Sequence, residues 1–254
     1  NLPKSFYNKS VLMLGGSTDL IKVHNHFEGD LSGILSSKLP LWFNHFYKPG
    51  KKIASEKDWN EKLDLITQSA KDWDIGIIAG VPAWIQILIE RIITYYKVNH
   101  IHEIWPNFRF YIHGGVNFEP YKKSFNSLLG KPIYFQETYL ASEGYFAYQN
   151  GVNSAYMELV IQQGTFYEFI PFNEFNFDEE GVLRKNPKVL LIDEVELNVD
   201  YALVISTNGG AWRYLIGDTV KFTSLRPYRI KITGRTKHFI NAFGEELIIE
   251  NAEE

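Results

Sequence analysis

The chain has 254 residues, 45% of them hydrophobic and 15% aromatic, with a formal net charge of −4. That length and aromatic content can fill one large core or two small ones, which excludes a disordered chain. Interspersed charges without a basic stripe argue against a nucleic-acid partner, and the absence of cysteine excludes disulfides, thiolate metal sites and thiol nucleophiles while fitting a reducing, cytoplasmic setting.

Residues 11–14 form a short apolar run stopped by Gly15-Gly16, which predicts a buried strand and a turn. From Ser55 to Trp73 the apolar residues Trp59, Leu63, Ile66, Ala70 and Trp73 recur at steps of four and three, predicting an amphipathic helix with Ser55 and Asp58 as its capping box. The longest apolar stretch, 75–89, is broken by Pro82 and Gln86 and falls short of the ~20 residues a membrane span needs. It reads as a strand at 75–79 and a helix opened by Pro82. Neither a membrane partner nor a signal peptide is expected. A strand at 108–113, a helix at 120–129 and a strand at 133–135 follow, and this alternation predicts a parallel sheet layered by helices.

From residue 156 the pattern changes to strands joined by short turns, at 156–162, 165–170, 189–192, 202–206, 220–223 and 229–233. The fold class expected is therefore α/β, a parallel sheet layered by helices followed by a mostly antiparallel β half. A first residue other than Met and an acidic run at the end suggest an internal fragment of a longer protein.

No G-x-S-x-G elbow, P-loop or G-x-G-x-x-G turn is present, so serine-hydrolase, P-loop and dinucleotide readings lose their support. His24 with His26, and His100 with His102, alternate as zinc ligands on one strand face would, with Glu28, Asp30 or Glu103 as carboxylate ligands. Polar histidines near surface turns are the favoured reading of both pairs.

The segment YFQETYLASEGYF, from Tyr134 to Phe146, places Thr138, Tyr139, Ser142 and Glu143 directly after an apolar strand. In an open α/β sheet, ligands bind beyond the carboxyl ends of strands. Hydroxyls there suit phosphate oxygens, a phenol ring suits a flat base, and a carboxylate suits Mg²⁺. A bland turn with a solvated glutamate weighs about equally on this segment alone. Gly114-Gly115 ends a strand where a planar ligand could approach backbone, and Asp218 follows Gly217 where a carboxylate could accept both ribose hydroxyls. Gly234-Arg235-Thr236-Lys237, followed by Phe243-Gly244-Glu245-Glu246, has the makings of a hinge. An ordinary loop, a turn aspartate and a solvated hairpin are the respective alternatives.

The ordered set HGG, YLASEG, RYLIGD and GR-x-K with FGEE resembles the signatures of the adenylate-forming superfamily, over about residues 112–250. More closely it resembles the acyl acid-amido synthetases, the auxin- and jasmonate-conjugating Gretchen Hagen type and its bacterial homologues, through Phe166-Tyr167-Glu168-Phe169-Ile170-Pro171 and Ala211-Trp212-Arg213-Tyr214. The resemblance implies ATP and Mg²⁺ as cofactors, with Tyr139 against the adenine, Gly114 and Gly115 lining its slot, and Thr138 and Ser142 at the α-phosphate. It makes Glu143 the metal ligand and sets Asp218 on the ribose, with Arg235 assisting. Leu140 and Ile216 depart from the superfamily's glycine and threonine, one narrowing the slot and the other removing a hydroxyl.

The superfamily's phosphate loop and its lysine-bearing C-terminal domain are not found, Gly15-Gly16-Ser17-Thr18 being too short to serve. The implied layout is a large-domain part at 1–233 and a hinge with the start of a truncated domain at 234–254. The implied substrates are a small carboxylic acid and an amino acid, handled by a monomer. The acyl pocket is expected to be aromatic, lined from the helix of Trp84 and the loop 113–118. A ligase using coenzyme A or a protein thiol, and a non-catalytic nucleotide-binding module, remain as alternatives.

Overall fold

The computed structural model describes residues 3–248 except 30, 116–117, 152–153, 155, 238 and 243–244. Two compact units divide the chain, Asn1–Glu137 and Thr138–Glu254.

In the first unit the strands β1 (Ser10–Met13), β4 (Tyr47–Lys48), β5 (Ile75–Ala79) and β6 (Phe110–Gly114) lie in the order β4-β1-β5-β6 and pair in parallel, with Val11 opposite Ile77 and Ile77 opposite Phe110. Strand β7 (Tyr134–Ala141) begins beside β6, Tyr134 donating its N–H to the Arg109 carbonyl at 2.8 Å. A small antiparallel hairpin, β2 (Ile21–Val23) with β3 (His26–Glu28), stands apart. Short helices α1 (Leu31–Ser37) and α2 (Lys51–Ala54) precede the longer α3 (Trp59–Ser69), α4 (Pro82–Tyr96) and α5 (Glu119–Ser127).

The apolar faces of α3 and α4, with Leu63, Ile66, Ile85, Leu88, Ile89 and Ile92, enter one core with Leu12, Ile78 and Tyr111. Trp59 and Trp84 meet at 4.9 Å between ring centroids, and Tyr111 stacks on Phe125 of α5 at 4.8 Å. Each fully buried side chain of this kind contributes roughly 1.5 to 3 kcal/mol. Trp84 is partly buried and packs against this core beside Trp59 of α3. His113 is buried and stacks on Phe118 at 4.4 Å. Of the loop 113–118, Val116 and Asn117 lie outside the described residues.

The start of α3 differs from the expected capping box. Its N-cap is Asp58, whose carboxylate accepts the Glu61 N–H at 2.8 Å, while the Ser55 hydroxyl donates to the Lys52 carbonyl. A carboxylate three residues before the last free amide of the first turn is the better acceptor there, and it complements the positive end of the helix dipole.

In the second unit the described strands pair antiparallel, and one isolated parallel bridge joins Leu197 to Phe222. The end of β7 turns into β8 (Gly144–Tyr148), followed in space by β9 (Met157–Leu159), β13 (Tyr228–Arg235), β12 (Tyr214–Leu225), β11 (Asp200–Thr207) and β10 (Thr165–Pro171). Alternation along β10 sends Phe169 into one cluster, with Tyr139, Phe146, Tyr201, Val220 and Phe222, and Ile170 into another, with Ala202 and Val204. A separate hairpin joins β14 (Phe239–Ala242) to β15 (Glu245–Ile248).

The strand expected at 189–192 is reduced to one bridge, Leu190 with Phe169. Beyond it the Glu194 side chain accepts the Leu191 N–H at 2.7 Å and turns the chain away from β10. The parallel first half and antiparallel second half otherwise follow the fold class read from the sequence.

Two stability outcomes follow. Asp58→Ala lowers the unfolding free energy by about 1 kcal/mol, and Ser55→Ala stays within about 0.5 kcal/mol, read from denaturant midpoints. Burial pushes the His113 imidazole down from 6.5 to about 4. Between those values the unfolded chain binds a proton that the folded chain does not. Stability therefore falls as pH drops through that window, by on the order of 3 kcal/mol at its acid end, and His113→Gln flattens this slope.

Candidate functional site

Strand pairing sets the geometry of the second unit's polar cluster. Asp218 on β12 lies opposite Arg235 at the end of β13, an opposite-charge cross-strand pair with Asp218 Oδ1 and Arg235 Nε 3.3 Å apart. Arg235 Nη2 also donates to the Ile216 carbonyl at 3.5 Å. Gly217 adopts φ 93°, a left-handed conformation, and its carbonyl accepts the Thr236 N–H at 2.7 Å, which joins the end of β13 to this bend. From β7, the Tyr139 hydroxyl donates to Asp218 Oδ2 at 2.5 Å.

Tyr139 is only 4% exposed, and its ring meets Phe146 edge-on at 5.2 Å. Burial first, and the neighbouring Asp218 charge second, push the Tyr139 phenol well above its ordinary value. Burial also raises the Asp218 carboxyl, while the bond from Tyr139 and the Arg235 charge pull it back.

Glu143 sits with Ser142 in the two-residue turn between β7 and β8, where Ala141 pairs with Gly144. Its charge and a hydrogen bond to the Tyr214 hydroxyl raise that phenol. It also acts on Asp218 and Tyr139, so Glu143, Tyr214, Asp218, Arg235 and Tyr139 form one electrostatic group. Thr138 pairs with Tyr148 in the same hairpin, and Ser142 is exposed beside Glu143. Gly114 and Gly115 belong to the first unit. There Gly115 directly follows β6 at φ 83° with open space where a side chain would be.

Tyr214 and the pair Glu168 and Arg213 were missed as functional candidates. Arg213 holds the buried Glu168 carboxylate in a two-pronged ion pair, with both bonds at 3.0 Å. The signal was present in the two quoted segments that carry Glu168, Arg213 and Tyr214, but 45 residues separate the first two.

The histidine pairs behave as surface-turn or packing residues. His102 Nε2 donates to the Phe108 carbonyl at 3.0 Å and its Nδ1 accepts the Gly130 N–H at 3.1 Å, a satisfied neutral imidazole whose pKa burial lowers. His26 bonds Glu28 on an exposed hairpin, and Asp30 lies outside the described residues. Among the described residues no group of three or more His, Asp or Glu side chains could hold a metal ion by itself. No helix there is long and apolar enough to cross a membrane.

Residues 158–235 match the GH3 family central domain. That segment carries Glu168, Arg213, Tyr214, Asp218 and Arg235. A search of the curated proteins found no match. Among solved structures the chain is similar to GH3.15 acyl acid amido synthetase, with a TM-score of 0.66 and 12% identity over 96% of this chain and 52% of that one. It is also similar to 2-hydroxyisobutyryl-CoA ligase in complex with 2-HIB-AMP and CoA, at a TM-score of 0.62, 13% identity, and 96% and 46% coverage. ATP-bound MatB from Rhodopseudomonas palustris gives 0.50, 14%, and 96% and 44%. The chain spans about half the length of the first of these. Its fold is that of adenylate-forming enzymes, and its family likeness is to GH3.

With its carboxyl raised by burial, folded Asp218 binds a proton more tightly than the unfolded chain does. Stability accordingly falls as pH rises from the ordinary carboxylate value of 3.8 through the raised one. Tyr139→Phe removes the donor that pulls the carboxyl down and widens this window, and Asp218→Asn abolishes it, measured as unfolding midpoints across the acidic range.

Proposed function

We propose that the parent protein is an ATP-dependent acyl acid-amido synthetase. The carrying observation is the joining of Tyr139, Asp218, Arg235 and Glu143 into one cluster, beside the match of 158–235 to the GH3 central domain. In this reading a substrate carboxylate attacks the α-phosphorus of ATP and pyrophosphate leaves. An amino acid amine then attacks the acyl carbonyl, AMP leaves, and the amine gives up its proton.

Asp218 receives the ribose. One oxygen takes the Tyr139 bond and the other faces Arg235, and since each carboxylate oxygen has two acceptor sites, both keep capacity for a sugar hydroxyl. Tyr139 borders the adenine, and Ser142 and Thr138 are assigned to the α-phosphate. Mg²⁺ typically takes one or two protein carboxylates plus substrate phosphates, so a lone half-buried Glu143 fits a metal that arrives with the nucleotide. When bound, the metal neutralises phosphate charge.

We infer a large domain at 1–233 and a second beginning at 234–254. The hinge is assigned to the Arg235 to Lys237 segment, within which Thr236 is buried and its N–H donates to the Gly217 carbonyl. The protein is read as a cytoplasmic monomer. Transfer to coenzyme A is the second reading, favoured by the likeness to 2-hydroxyisobutyryl-CoA ligase.

ATP–pyrophosphate exchange by the full-length parent, with a panel of aryl, indole and fatty acids and no amine, tests adenylation. Exchange that requires one acid class and drops by about 100-fold or more in Glu143→Ala and in Asp218→Ala supports the proposal. No exchange with any acid, from a folded protein that still binds AMP, removes it. AMP release driven by coenzyme A instead of amino acids selects the second reading.

A further inference from the structure

Asp218 lies where the ladder between β12 and β11 is interrupted. Leu215 pairs with Val204 and Thr219 with Ala202, so residues 216–218 stand opposite Leu203 alone. A bulge of this kind re-aims a side chain and leaves part of the strand without its ladder bonds. On its other side Asp218 pairs with Arg235, but the guanidinium Nε comes no closer to Oδ1 than 3.3 Å and its Nη2 is given to the Ile216 carbonyl. The backbone therefore sets where the carboxylate starts and leaves its angle to the side chains around it.

The closer of these is Tyr139, whose hydroxyl donates to Oδ2 at 2.5 Å. Its ring is only 4% exposed, meets Phe146 edge-on at 5.2 Å and shares a core cluster with Ala147, Met157 and Leu159. The pairing of β7 with β8 also shifts register directly after Tyr139, which pairs with Ala147 while Leu140 pairs with Tyr145. Two interrupted ladders thus meet in one hydrogen bond. A phenol so enclosed has little freedom to swing away from the carboxylate it holds.

We propose that Tyr139 is a positioning residue whose hydroxyl fixes the angle of the Asp218 carboxylate, so that this one bond sets how strictly the protein demands a ribose with both hydroxyls. The inference deepens the synthetase reading and rests on Asp218 receiving the sugar. Two neighbouring hydroxyls can both donate to one carboxylate only when its plane is held. A phenol that merely satisfies a partly buried charge is the competing role. That role moves the unfolding midpoint and leaves the choice between sugars unchanged.

The test uses the full-length parent, Tyr139→Phe, Phe146→Leu, Asp218→Asn and the double variant Tyr139→Phe/Asp218→Asn. Pyrophosphate exchange is run with ATP, 2′-deoxy-ATP and 3′-deoxy-ATP. Calorimetry gives the affinities for AMP and the matching deoxy-AMPs, and unfolding midpoints serve as the control. Because Tyr139→Phe keeps the ring, any contact of that ring with the base is retained. The variant is expected to raise the KM for ATP by about 10-fold with kcat within about 3-fold, while the KM values for the deoxy analogues stay near parental. The preference for ribose then shrinks by the same factor of about 10. On the Asp218→Asn background the same substitution changes AMP affinity by less than about 2-fold, since residues acting through one another are not additive. Phe146→Leu keeps the hydroxyl but frees the ring, shows the loss in smaller measure, and carries the test if Tyr139→Phe folds poorly.

A folded Tyr139→Phe with the parental preference for ribose overturns the proposal, as does an undiminished effect on the Asp218→Asn background. Where Tyr139→Phe does not fold, an unchanged preference in Phe146→Leu overturns it instead. Should the parent show no exchange with any acid, the synthetase reading fails by itself. The affinities for AMP and the deoxy-AMPs then decide the role of Tyr139, and a parent that binds them equally removes it.

Discussion

The second unit depends on one desolvated carboxylate. Asp218 is a partly buried charge, its side chain 17% exposed, and Ile216, Val220 and Phe222 of its own strand enter the adjoining core. Burial of that kind is tolerated only where hydrogen bonds and opposite charge replace water. The replacements come from two places in the chain: a phenol from β7 and a guanidinium from β13. Each is itself fixed by strand pairing. The register between β12 and β13 sets Arg235 opposite Asp218, and the hairpin of β7 with β8 sets Tyr139 and Glu143.

The first unit solves a different problem. Its strands β4, β1, β5 and β6 pair in parallel, so their crossovers place helices over the sheet, and α3 and α4 are held by aliphatic side chains and the Trp59 and Trp84 contact. Trp84 packs partly buried against that core, and His113 is buried on Phe118. Large aromatic area is worth more in a core than at a solvated rim, and the buried imidazole is kept neutral by its surroundings.

Much of this was legible in advance where the signal was local. The helix from Pro82 announced itself by a first-turn proline and by Ile85, Leu88, Ile89 and Ile92 at helical spacing, and β5 by a short apolar run bounded by turns. The capping residue of α3 was misread by three positions, since two candidate caps stood close together and only the path of the backbone selects between them. The strand at 189–192 was overread because apolar content alone cannot reveal the Glu194 side chain that turns the chain.

The sequence by itself determined the fold class, the change from parallel to antiparallel texture and the ordered motifs shared with adenylate-forming enzymes, because periodicity, turn residues and short motifs are properties of neighbouring residues. Only the tertiary structure decided that Asp218 answers to Tyr139, 79 residues away, and that Glu168 answers to Arg213, 45 residues away. It also decided which histidines pack and which face solvent. Those outcomes depend on strand register, and register follows from how whole faces bury, which no local stretch of sequence encodes.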